Sequence, residues 1–152
     1  MIANEINDFI NKIMEKTEKN ELNWQYAEYL LARSSNWSSM PKAVKSIVDY
    51  CMNDNTGVSM YANDSFYLCN DDRYLFLLHL AKESTRGKVV QDWWCLFAVL
   101  GSDYETFVPI PDYHPANESD RLKKISDLIK KNKDAEQEQA DKRLLEFFES
   151  FL

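Results

Sequence analysis

Apolar residues at both odd and even positions mark two neighbouring stretches of the chain: Arg73 to Ala81, and Trp93 to Leu100. Side chains on a strand alternate between the two faces of its sheet, so a sheet with one wet face shows strict alternation. Here Tyr74, Phe76, Leu78 and Leu80 line one face, and Leu75, Leu77 and Ala81 the other. Both faces of this sheet therefore need a cover. Around these strands the pattern predicts an antiparallel meander of four or five strands. Val58–Ala62 and Ser65–Cys69 flank Asn63-Asp64 as a tight hairpin. Asn70-Asp71-Asp72 leads into the strand at 73–82, and a polar loop at 83–88 leads into the strand at about 89–100. A last strand runs from Tyr104 to Ile110, with Pro109 and Pro111 stopping the sheet. Loops this short join only antiparallel neighbours.

Helical spacing rules the two ends. Ile2, Ile6, Phe9, Ile10, Ile13 and Met14 recur at three and four residues, predicting a helix from about Asn4 to Lys19, with Asn20 as its stop. Leu22-Asn23-Trp24 turns the chain, and Tyr26, Tyr29 and Leu30 suggest a short helix to about Arg33. A third helix follows Pro41, with Ala43, Val44, Ile47, Val48 and Cys51 on its apolar side and Asn53–Gly57 as its terminating turn. After Pro115, Asn117 or Ser119 can cap a helix striped by Leu122, Ile125, Leu128 and Ile129. A final helix spans about Asp134 to Phe151. Its first half is charged nearly all round, and its greasy second half (Leu144, Leu145, Phe147, Phe148, Phe151, Leu152) is expected to dock on the body. The fold class is thus α+β, a single domain over residues 1–152: an antiparallel meander packed by amino-terminal helices and a carboxy-terminal helical pair.

Several motifs add a resemblance. The segment Phe9-Ile10-Asn11-Lys12-Ile13-Met14-Glu15-Lys16-Thr17, followed by Leu22-Asn23-Trp24, resembles the opening of small bacterial and phage proteins of no known activity. Asp64–Tyr67, Tyr74–Ala81 and Leu122–Ile129 are similar to the same plan. The resemblance implies a helix, a turn, an antiparallel sheet and one or two closing helices. It covers most of the chain except about 26–57, which reads as a helical insert. It transfers no catalytic or binding residue.

Composition narrows the classes. The chain is 45% hydrophobic and 13% aromatic, with only 3 Gly, which excludes a disordered chain. No stretch reaches the roughly 18 apolar residues of a membrane span, and the amino terminus lacks the order of a signal peptide, so the expected compartment is the cytoplasm. The net charge is −7, and residues 58–116 carry 4 basic against 8 acidic groups. With no basic stripe to neutralise phosphates, nucleic acid is not an expected partner. Cys51, Cys69 and Cys95 form no paired motif and read as buried free thiols.

Candidate chemistry is sparse. His79 stands mid-strand among leucines, where a hydrogen-bonded core histidine competes with a general base; His114 sits on a loop. The glycines build no phosphate-binding or nucleophile-elbow motif. Asp71 and Asp72, near Asp64, are too few oxygens for a hard cation and read as a solvated turn, so no metal or other cofactor is expected. The Glu136, Glu138 and Asp141 set reads as a solvated helix face with ion pairs to neighbouring lysines. The aromatic surplus remains. Trp93 and Trp94 face opposite ways, and Tyr61, Phe66 and Tyr67 crowd the adjoining strands; such residues anchor interfaces when they are not core. These features support a non-catalytic, acidic interaction protein with a protein partner or a homodimer, and the resemblance suggests an inhibitor, immunity or accessory factor of a mobile element. The alternative is a small-ligand module with an aromatic pocket between sheet and helices, holding His79 and Trp24. An enzyme with an unfamiliar carboxylate site is a third class.

Overall fold

A computed structural model describes residues 2–31, 39–52, 55–112 and 120–151. Helix α1 spans Ala3–Glu18 and buries Ile10, Ile13 and Thr17, members of the predicted stripe and its continuation. Asn20 ends the segment with φ 55°, the left-handed conformation that asparagine tolerates. The Thr17 hydroxyl donates to the Ile13 carbonyl at 2.7 Å and accepts from Trp24 Nε1 at 3.0 Å. That pair of bonds fixes the turn that follows. A two-residue strand, β1 (Gln25–Tyr26), then precedes a short helix, α2 (Ala27–Leu31). Helix α3 (Lys42–Cys51) follows Pro41, whose carbonyl accepts the Val44 and Lys45 amides, and it buries all five residues of its predicted apolar side.

The sheet has six strands. β2 (Val58–Met60), β3 (Phe66–Asn70), β4 (Arg73–Glu83), β5 (Val89–Val99) and β6 (Val108–Ile110) join β1, and every pairing is antiparallel. The order is β1-β3-β4-β5-β6, with β2 also on β4. β6 is shorter than the predicted strand from Tyr104, and β1, just after the expected turn, takes Tyr26 from the start of the predicted short helix. The long helix α4 (Arg121–Phe151, 31 residues) closes the chain. Its start is held by Asp120, whose carboxylate accepts the Leu122 amide at 3.0 Å; Asn117 and Ser119, the expected caps, lie outside the described residues.

The arrangement is three layers. On one face Phe76, Leu78, Leu80, Phe97 and Val99 pack against α2 and α3. On the other Phe66, Leu77 and Leu96 pack against α1 and α4. Within the segment 26–57, α2 and α3 therefore supply the cover for the second face. One chain clothes both sides of the sheet, so the doubly apolar strands need no partner subunit. Full burial of a ring such as Phe76 contributes about 3 kcal/mol.

Two expectations are corrected. The predicted hairpin about Asn63-Asp64 does not exist: β2 and β3 both pair with β4 on the same side, as two pieces of one broken strand. Met60 is opposite Leu80 and Phe66 is opposite Leu77, so residues 61–65 stand against only Leu78 and His79. The excess is taken up by a 3₁₀ turn at Ala62–Asp64. The hairpin reading failed because Asn-Asp marks a turn without saying whether the chain reverses. The second correction concerns the carboxy terminus, where a single helix replaces the expected pair. Nothing between Lys130 and Asp134 breaks it, because lysine, asparagine and aspartate all continue a helix at small cost. Its greasy end does not fold back on the body.

Candidate functional site

The broken strand makes the most polar feature of the sheet. Where residues 61–65 arch away, the edge of β4 is left at His79. Its amide donates to the Ser65 hydroxyl at 3.0 Å and its carbonyl accepts the Tyr61 amide at 2.9 Å. The arch also carries Asp64 over the imidazole. Asp64 Oδ2 lies 3.2 Å from His79 Nδ1, and Asp92 Oδ2, two residues before the facing position on β5, lies 2.7 Å from Nε2. Each nitrogen donates when the ring carries its second proton; the neutral ring can donate to only one carboxylate.

The flat sides of the imidazole are covered too. Trp94, its cross-strand partner, stacks at 4.0 Å and 8°, and Tyr61 covers it at 4.4 Å and 32°. From α4, Lys130 Nζ donates to Asp64 Oδ1 at 2.6 Å, and Ser126 donates to the Asp64 backbone carbonyl at 3.1 Å. Burial raises the Asp64 pKa, but the hydrogen bonds from Lys130 and His79 outweigh it and hold the carboxyl below its ordinary range. The same carboxylate raises Lys130. Beside this chain lies an open cleft of about 490 Å³, lined also by Trp93, Asp120, Lys123 and Asp127. The arrangement fixes His79 firmly. Both ring nitrogens face a carboxylate.

The other candidates fall in different places. Trp93 is half-buried and packs with the α2–α3 layer, whereas Trp94 packs with the α1–α4 layer. They do face opposite ways, yet neither is bare. Phe66 is wholly buried and belongs to the core rather than to a surface, because the broken strand turns it beneath α1 and α4. Tyr67 is half-buried and stacks on Phe76 at 5.7 Å, and Tyr61 is spent on His79. Trp24 is buried and lines a separate cavity of only about 30 Å³, so it shares no pocket with His79.

The turn aspartates are also structural. Asp71 sits at φ 58°, and Asp72 accepts the Ser102 amide at 2.8 Å and its hydroxyl at 2.9 Å, bonds that lower its pKa. Asp72 is thus a clasp between two turns, not a freely solvated group. Among the described residues no three His, Cys, Asp or Glu side chains are placed to hold a metal. Burial pushes the Cys51 thiol up to about 12 and raises Cys95 as well. Cys69 departs from the expected buried thiols: it is exposed, with Sγ donating to the Asp71 carbonyl at 3.2 Å. His114 lies outside the described residues.

Two features escaped the sequence reading. One is a buried tie in which the Arg121 guanidinium donates to Asp112, to Asn11 at 3.0 Å and to Asn7 at 2.7 Å, joining α4 to α1. The Asn7–Asn11 spacing of four was a signal in principle, but polar residues on a helix are ordinarily solvated. The other is the far end of α4. The buried residues of this helix all lie within Arg121–Ile129. α1 runs beside α4 in the same direction, with Asn132 Nδ2 bonded to the Thr17 carbonyl at 2.8 Å and Asn20 to Glu136 at 3.4 Å. Beyond that contact α4 continues for roughly 22 Å. Along it Leu144, Leu145, Phe147, Phe148 and Phe151 are 50, 60, 52, 54 and 72% exposed.

No known protein family, no curated protein and no solved structure matches the chain. No described helix is long and apolar enough to cross a membrane.

Proposed function

We propose that this chain is a non-catalytic interaction protein whose docking element is the projecting end of α4. The carrying observation is the five large apolar side chains left uncovered on a helix that the body anchors only through its first turns. An apolar patch of this kind is rare on a chain that works alone. The engagement of His79 by two carboxylates and two rings supports a structural use of this histidine. The setting of an inhibitor, immunity or accessory factor of a mobile element rests on the sequence resemblance.

The test is site-specific photo-crosslinking in the source cell. A benzophenone side chain at Phe148 is expected to give a protein adduct, and the same group at Glu146, on the other side of the helix, to give far less. Equal labelling at both positions, or none at either, would overturn the reading.

A second reading, a small-ligand module, has the cleft above His79 in its favour. Its wall of Asp92, Asp120, Asp127 and Lys123 would suit a polar ligand. Screening polar metabolites for a rise in melting temperature tests it, since a ligand bound only by the native state must stabilise that state.

A further inference from the structure

We infer that the occupant of the α4 end is a second copy of this chain, paired helix to helix about a two-fold axis; this rests on the interaction reading above. The first support is spacing. Ala140, Leu144, Phe147 and Phe151 recur at four, three and four residues, the seam along which one helix packs knobs into holes of another. The second is shape. Run antiparallel, the seam is self-complementary: the small Ala140 of one copy meets the bulky Phe151 of the other, and Leu144 meets Phe147. In that arrangement the two bodies lie at opposite ends of the paired helices.

Area is the third support. At about 200 Å² per phenylalanine, the exposed parts of Phe147, Phe148 and Phe151 give about 350 Å² per copy. With Leu144, and leaving out Leu145, which points away from the seam, the pair hides about 900 Å², the size of a weak, concentration-dependent interface. The fourth is charge. Although the chain carries −7, residues 140–151 carry only −1, with Lys142 and Arg143 against Asp141, Glu146 and Glu149, so repulsion between two such ends is small. Phe147 and Phe151 already stack at 5.0 Å, so the ledge is preformed and little order is lost on pairing.

Sedimentation equilibrium of the whole chain tests this. The expected mass is twice 17.9 kDa at tens of micromolar. Phe147→Ala is expected to weaken dimerisation by about tenfold or more, and Phe147→Glu with Phe151→Glu to give a monomer with unchanged far-UV dichroism. Orientation is read by disulfide trapping in a Cys69→Ser background: chains with Ala140→Cys mixed with chains with Phe151→Cys should cross-link, and Ala140→Cys alone should not. A monomeric mass up to 100 µM overturns the second copy. If the Phe148 probe then traps a different protein, the interaction reading stands without it; if it traps nothing, both fall. A dimer whose mass ignores the Phe147 and Phe151 substitutions also overturns the inference.

Discussion

Removing the Arg121 guanidinium should be among the most damaging single changes to this fold. The Arg121 and Asp112 side chains are only 8% and 10% exposed, and the same guanidinium reaches Asn7 and Asn11 on α1. Arg121→Ala takes from a buried carboxylate its charge-assisted partner and strips two asparagine carbonyls of a donor. Breaking a buried pair from one side typically costs about 3–5 kcal/mol, far above the 0–1 kcal/mol of exposed pairs such as Lys142–Glu138. For a chain of this size each kcal/mol shifts the melting temperature by roughly 2–4 °C, so a fall of about 10–15 °C is expected. Thermal unfolding at neutral pH, followed by circular dichroism at 222 nm, reads it directly. The double variant Arg121→Met with Asp112→Leu should recover much of the loss, because it removes both charges of the pair together. An Arg121→Ala protein melting within about 2 °C of the parent would refute the reasoning, as would a double variant no better than the single.

Asp64→Asn should destabilise the protein at neutral pH, and the gap from the parent should close in acid. The Asp64 pKa is lowered in the fold, so its contribution is present above the ordinary carboxylate value of 3.8 and disappears as the pH falls through the lowered one. On the alkaline side the raised Lys130 gives the opposite sign: its contribution holds below 10.5 and fades as the pH climbs past the raised value. Unfolding free energies of parent and variant from pH 2 to 11 check both limbs. Gly57→Ala should cost more than about 1 kcal/mol in urea unfolding, since Gly57 sits at φ +71° and a Cβ there would lie 2.9 Å from the Glu83 carbonyl oxygen. Trp24→Phe keeps most of the buried ring but removes the N–H that the Thr17 hydroxyl oxygen accepts, so a loss of about 1 kcal/mol is expected by the same assay.

Much of this architecture was legible because it follows from periodicity. The double-sided strands at 73–83 and 89–99 and the stripe of α3 are local patterns with one solution each. What the pattern left open was who covers the second face, and the answer lay in residues 27–51, which look like an addition only when compared with a shorter plan. The candidate site was far less legible. His79 stood out, but Asp64, Asp92 and Lys130 come from three separate elements, and their meeting depends on a broken strand that no local rule announces. The end of α4 misled for a related reason. Greasy residues at helical spacing predict an apolar face, and they do not say whether the body extends far enough to receive it.

The two margins of the sheet are unequal. Beside β4 the arch at 61–65 still meets the His79 backbone groups, so that margin offers little to a foreign strand. Beside β5 the situation differs, for β6 pairs only with Leu96, Phe97 and Ala98. Among the described residues, the rest of that rim is unzipped from Val89 to Cys95, with Val89 and Val90 bare. Bare rims of this sort seed strand exchange and fibre growth. Asp92 sits within this one, and its exposed carboxylate places a negative charge there that guards the margin against misassembly.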